Sequence, residues 1–233
     1  MHVPDGFFNA ATAVGAGVVS AGSLGASLRK AADDLTDRLA PMAGLVAAFI
    51  FALQMLNFPV ASGTSGHLLG GALAAVLVGP WVGSLCIAVV LLVQGLVFAD
   101  GGLSAIGINV LLVAIIPSFL GYGVFRLVWT LLPKEKASAV AAAAVAALVS
   151  VPVAAAAFAV LFGIGGSVDL AFGSVLGAMV GVHVLIGIGE ALITAAVVSA
   201  VAGVRPDLLA AAPELARTIV ASGSARPAAT GAR

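Results

Sequence analysis

Seven apolar stretches, each bounded by charged residues or by Gly/Pro turns, divide this chain, and they restrict its fold more than any other feature. They run roughly over residues 10–28, 39–57, 67–80, 82–99, 105–132, 137–164 and 171–204. Crossing a bilayer as a helix takes about 20 apolar residues, because the backbone must satisfy its own hydrogen bonds where no water is available. The third stretch is too short for that, so it is expected to be tilted, half-buried or preceded by a re-entrant loop. Composition points the same way. Of 233 residues, 62 % are hydrophobic and 9 % charged, with a mean hydropathy of +1.22, where soluble domains carry about 25 % charged residues. The expected fold is all-α, a polytopic membrane helix bundle of about seven transmembrane helices in contact with the lipid bilayer.

Orientation follows from where lysine and arginine collect, since positively charged loops stay in the cytoplasm. Arg29, Lys30 and Arg38 fall between the first two stretches, and Arg126, Lys134 and Lys136 between the fifth and sixth. Arg205, Arg217, Arg226 and Arg233 follow the last, and the opposite loops hold no Lys or Arg. The N-terminus is therefore expected outside and the C-terminus inside the cytoplasmic (inner) membrane of the cell. The first ten residues lack a basic n-region and an apolar h-region, so a cleaved signal peptide is not expected and the mature chain should begin at or next to Met1. The organisation read from this is an N-terminal segment 1–9, a bundle 10–204 and a cytoplasmic tail 205–233, the tail being a short helix followed by disorder.

Ten basic and ten acidic residues leave no net charge and no electrostatic footprint for nucleic acid. The single cysteine, Cys86, excludes an internal disulfide and a cysteine metal cluster, and reads as a small core residue. Gly15-Ala16-Gly17, Gly70-Gly71 and the pair Gly177 and Gly181 are spaced for close helix packing. There is no internal repeat of the kind that marks many secondary transporters.

Two of the three histidines invite a metal reading. The free amine of Met1, the amide nitrogen of His2 and Nδ1 of its ring can reach one ion, closing five- and six-membered chelate rings. This nitrogen-rich, nearly planar set suits Ni(II), Cu(II) and, less strongly, Co(II), and leaves one in-plane position open. His67, at the end of the small-residue loop Ser62-Gly63-Thr64-Ser65-Gly66, can fill it from the same outer side. The plain alternatives are a solvent-exposed His2 and a hydrogen-bonded core His67. Against them, Pro4 restricts the chain, Asp5 and Gly6 make a turn, and Phe7 and Phe8 can anchor the segment in an apolar pocket.

The opening Met1-His2-Val3-Pro4-Asp5-Gly6-Phe7 resembles that of the CbiM/NikM family, the substrate-binding membrane subunits of cobalt and nickel energy-coupling factor (ECF) importers. The resemblance continues through Asn57-Phe58-Pro59-Val60, the loop from Ser62 to Gly71, and Gln94-Gly95-Leu96-Val97-Phe98-Ala99-Asp100-Gly101-Gly102. It also takes in Gly107-Ile108-Asn109 and the run from His183 to Glu190, covering about residues 1 to 205. It implies that the ion is held by the Met1 amine, the amide and ring nitrogens of His2, and the ring of His67. Asp5 would then either stand behind the ligands as acceptor of a ring N–H or cap the turn, and Asn57 and Asn109 read first as polar glue between helices and second as organisers of the metal-site loops. The chain departs from the family pattern at Leu112 and Val113, where an asparagine and a methionine are expected, which puts any tuning of the metal from those positions in doubt.

The family works with two ATPase subunits, a transmembrane coupling (T) subunit and a small accessory membrane subunit. This sequence has no Walker A motif and hence no means of hydrolysing ATP itself, and its short tail leaves no room for a fused accessory protein. It is expected to be no enzyme and to hold no permanent cofactor, only the transported Co(II) or Ni(II), with cobalt preferred, a metal destined for cobalamin biosynthesis.

Two other functions compete with this one. An autonomous channel or proton-coupled carrier would use Glu190, His183 and Asp100 along a path, though the ionisable groups are too few for a convincing one. A serine hydrolase built on Ser65 and His183 lacks the strand–turn–helix setting of a nucleophile elbow. His183 and Glu190, seven apart on one helical face, otherwise serve as a structural hydrogen-bonding pair within the bundle, as a relay or as a contact to the coupling subunit. Gln54 and Gln94 read as polar glue between helices.

Overall fold

A computed structural model describes residues 1–34, 39–56, 58–60 and 64–224. The first helix, α1 (Ala10–Asp34), starts where Asn9 Oδ1 accepts the Thr12 N–H at 2.9 Å, satisfying one of the donors a helix start leaves open. There follow α2 (Leu39–Gln54), a hairpin of β1 (Phe58–Val60) and β2 (Thr64–Gly66), α3 (Gly71–Val78) and α4 (Pro80–Val97). A short α5 (Ile106–Asn109) runs through a π-helical stretch (Val110–Ile115) into α6 (Ile116–Leu131). The two longest helices, α7 (Lys136–Gly165) and α8 (Phe172–Val204), pack together along their length, and a 3₁₀ turn (Pro206–Leu208) leads to α9 (Pro213–Ser224).

Five of these segments are long and apolar enough to cross a membrane: α1, α4, the continuous run from α5 to α6, α7 and α8. This is a multi-pass, helical membrane protein. Its α2, with 16 residues, spans about 24 Å at 1.5 Å per residue, short of a ~30 Å hydrocarbon core. The third apolar stretch becomes the 8-residue α3, every residue of which is buried among α2, α4, α6 and α7. It is a core helix, and residues 67–70 ahead of it are irregular, with Gly70 left-handed, so His67 lies outside any helix. The only strands among the described residues are the antiparallel pair Phe58↔Gly66, Pro59↔Ser65 and Val60↔Thr64.

Small residues set the closest approaches. A Cβ at Gly107 would lie 2.4 Å from Gly17 Cα, so α1 and α5 touch backbone to backbone, and one at Gly71 would strike Pro117 of α6 at the same distance. Gly177 and Gly181, by contrast, face nothing within 4 Å in this chain. Cys86 is buried and free, a core residue on α4.

The two ends of the bundle differ in charge. At one end the N-terminal segment meets residues 98–105 and 166–171, none of them Lys or Arg. At the other lie Lys134, Lys136, Arg126 and Arg205. Here Arg126 donates to the Ala211 carbonyl at 2.8 Å and pairs with Glu214 at 3.4 Å, fixing α9 against α6. Arg38, Arg226 and Arg233 lie outside the described residues.

Candidate metal centre

The N-terminal segment is folded into the bundle. Phe7 and Phe8 are buried against Phe158 and Phe162 of α7, with ring centroids 5.6 to 6.4 Å apart. The backbone is tied on both sides of that anchor: Ser167 N–H donates to the Phe7 carbonyl at 2.9 Å, and Asn9 N–H to the Gly165 carbonyl at 2.8 Å. The Pro4–Phe7 turn carries Gly6 at φ +77°. Nearer the terminus, Val3 is held twice. Asn109 Oδ1 accepts the Val3 N–H at 2.8 Å, and the Gly102 N–H donates to the Val3 carbonyl at 2.7 Å. The approach needs glycine, because a Cβ at Gly102 would sit 2.3 Å from the Asp5 nitrogen.

These ties carry Met1 and His2 into the core at 1 % and 4 % exposure. The His2 ring stacks on His67, itself fully buried, with centroids 4.4 Å apart and planes at 26°. His67 Nδ1 lies 2.8 Å from the Leu68 carbonyl, so that nitrogen carries the proton and Nε2 is left as a bare lone pair. His67 Nε2 and both ring nitrogens of His2 are buried without a hydrogen-bond partner. Leaving such a group unpaired costs about 1–3 kcal/mol each, which three groups in one place repay only if something binds there.

Asp100 Oδ1 stands 3.1 Å from His2 Nδ1, an ionic contact rather than an aligned hydrogen bond. Ala99, held at φ +53° in a region few non-glycine residues occupy, turns the chain beyond α4 just before it. Gln94, in the last turn of α4, faces His2 with both side-chain amide atoms unpaired. His183 is buried on α8, its Nδ1 2.7 Å from the Met179 carbonyl and its Nε2 without a partner.

Burial sets the charge state of the cluster. Desolvation pushes the Met1 amine well below its ordinary 8.0, against the pull of Asp100. It likewise holds His67 well below 6.5, helped by the charges of the amine and of His2, and it lowers His2 despite Asp100. All three shifts run toward the unprotonated form, in which the nitrogens can donate lone pairs. Among the described residues no three His, Cys, Asp or Glu side chains gather as a metal-holding group.

The remaining sequence expectations fall as follows. Asp5 accepts from Ser104 N–H at 2.8 Å and from Ser104 Oγ at 2.5 Å, which hold its carboxyl below the ordinary 3.8, so it anchors the turn. The carboxylate beside His2 is Asp100. Asn109 is bonded to the backbone of Val3, and Asn57 lies outside the described residues. Leu112 and Val113 are buried in the π-helical stretch. Gln94 and Asp100, read as helix glue and as part of a carrier path, both lie beside His2; both stood in the run from Gln94 to Gly102 that carried the family resemblance.

Fold and cluster together define a class: a multi-pass helical membrane protein with its N-terminal segment folded in to form a buried, nitrogen-rich cluster. Residues 2–208 match the family described as "Cobalt uptake substrate-specific transmembrane region", and the chain belongs to that family, a membrane component of cobalt and nickel uptake. It is 39 % identical over 211 residues, 90 % of this chain and 93 % of the relative, to a protein of Haloquadratum walsbyi provisionally named a metal transport protein. It is 40 % identical over 225 residues, 95 % of this chain and 73 % of the relative, to one of Archaeoglobus fulgidus provisionally named a fused nickel transport protein, NikMN. Among solved structures, a transition metal transporter superposes with a TM-score of 0.82 at 28 % identity, covering 94 % of this chain and 99 % of that one.

Proposed function

We propose that this chain is the metal-capturing specificity subunit of an ATP-driven ECF-type importer for cobalt or nickel. The ion is held by the Met1 amine, the His2 amide nitrogen, His2 Nδ1 and His67 Nε2. The observation that supports this reading is the stacking of His2 on His67 beside a buried terminal amine, with His67 Nε2 and His2 Nε2 unpaired and His2 Nδ1 met only by Asp100. Among the described residues the His2 amide N–H has no hydrogen-bond partner, whereas the next amide, Val3, is bound to Asn109. The free amide is the one a chelate would deprotonate. On capture, His2 Nδ1 exchanges its contact with Asp100 for the ion, and the carboxylate remains as a countercharge. Segment 1–9 is the binding element, the bundle its support, and the residues from 205 on lie on the cytoplasmic side. Energy would come from two ATPase subunits through a transmembrane coupling subunit, with a small accessory membrane subunit completing the complex.

The test is metal content after equilibration with equal Co(II) and Ni(II), using protein tagged only at its C-terminus. One ion per chain is expected in the native protein, and close to none in His2→Ala or in a version extended before Met1. Full occupancy in the extended version would remove the amine from the ligand set. An empty native protein would favour the autonomous carrier.

A further inference from the structure

We propose that Glu190 is a positioning residue for His67, which it holds by capping α3 from across the bundle; this rests on the reading that His67 is a metal ligand. The start of α3 has no cap of its own, since the cap position is Gly70, at φ 77° and with no side chain to offer. Glu190 of α8, 120 residues away, instead fixes the two residues that lead into the helix. Its Oε2 accepts the Leu69 N–H at 2.6 Å, and its Oε1 accepts the Gly70 N–H at 3.0 Å. From the other side, Gln54 Nε2 at the end of α2 donates to the Leu69 carbonyl at 2.7 Å. The segment two residues beyond His67 is thus gripped by two helices, and the intervening Leu68 carbonyl fixes the His67 ring through Nδ1.

Glu190 is 3 % exposed, and among the described residues no Lys or Arg pairs with it. A carboxylate buried in a membrane bundle is costly, and what compensates it here is the pair of N–H donors with the positive end of the α3 dipole. An apolar residue at 190 would avoid that cost but leave the donors of Leu69 and Gly70 unmet and His67 unfixed. The two halves of the proposed site are therefore held independently: Met1 and His2 by Asn109 and Gly102, His67 by Glu190 and Gln54.

The experiment reads Ni(II) alone, by affinity and by the visible absorption of the bound ion. Glu190→Gln keeps the shape but turns an NH₂ group toward one of the two backbone donors. Its Ni(II) affinity is expected to fall about 10- to 100-fold, as for other groups that orient a ligand. Its absorption band should move to longer wavelength, to where His67→Ala has it, because water replaces the ring. Glu190→Gln combined with His67→Ala should bind no more weakly than His67→Ala alone. Gln54→Met, which leaves the cap intact, should shift the band in the same direction. A band unmoved in Glu190→Gln, or losses that multiply in the double variant, would overturn the proposal, and a lowered Tm with an unmoved band would show a merely structural role. If His67→Ala itself left Ni(II) binding unchanged, the ligand reading would fail, a different result from either.

Discussion

A terminal amine and two imidazoles buried in an apolar bundle are neutral there, and this gives the metal-free protein a pH dependence of definite sign. The Met1 amine and His67 both release their protons well below their ordinary values of 8.0 and 6.5 when folded. On acidification the unfolded chain takes up a proton near each ordinary value while the folded chain does not, so stability is greatest above pH 8 and falls as the pH drops. The Tm of metal-free protein in detergent should decline between about pH 8.5 and 5.5, and His67→Ala should flatten the lower part of that decline. A flat profile would mean that the amine and rings are solvated. At this scale the sequence discloses the candidate donors, because chelate-ring closure at Met1 and His2 is local chemistry. It does not disclose Gln94 and Asp100 as neighbours of His2, since they are brought there by the turn at Ala99 after α4, some 90 residues along the chain.

Helix–helix approach decides whether those donors stay aligned, and the segment from α5 into the π-helical stretch is the sensitive point. Gly107 touches Gly17 of α1, its carbonyl accepts the Ser20 hydroxyl at 2.6 Å, and two residues on Asn109 holds Val3. Gly107→Ala should therefore separate α1 from α5 at a cost of about 1–3 kcal/mol, as overpacking generally does. It should also weaken Ni(II) binding through Asn109. Gly181→Ala, where the added Cβ meets open space, should leave both the Tm and Ni(II) affinity of the isolated chain within about 0.5 kcal/mol. Equal effects of the two substitutions would remove the α1–α5 contact as the cause. Apolar length alone marks the long helices, which is why they were legible. The third stretch was legible only as too short, because burial on all sides and a lipid-facing span have the same apolar composition. The β1–β2 hairpin and the π-helical stretch arise from tertiary packing and leave no periodic signal.

At the level of the whole molecule, the His2–His67 cluster belongs to the end of the bundle that carries no Lys or Arg, the end the charge rule assigns to the outer side. The charge asymmetry was readable in sequence, but only the fold shows that residues 1–9, 98–105 and 166–171 close together over one end. Two positions test the orientation with Cys86 as a buried internal control. Leu103, 55 % exposed beside the N-terminal segment, and Arg217, exposed on α9, lie at opposite ends. In intact cells a membrane-impermeant maleimide should label Leu103→Cys and spare Arg217→Cys until the membrane is permeabilised. The reverse pattern would open the pocket toward the cytoplasm. The same nitrogen donors would then collect metal from inside, and capture for import would have to be replaced by loading for export or by cytoplasmic sensing.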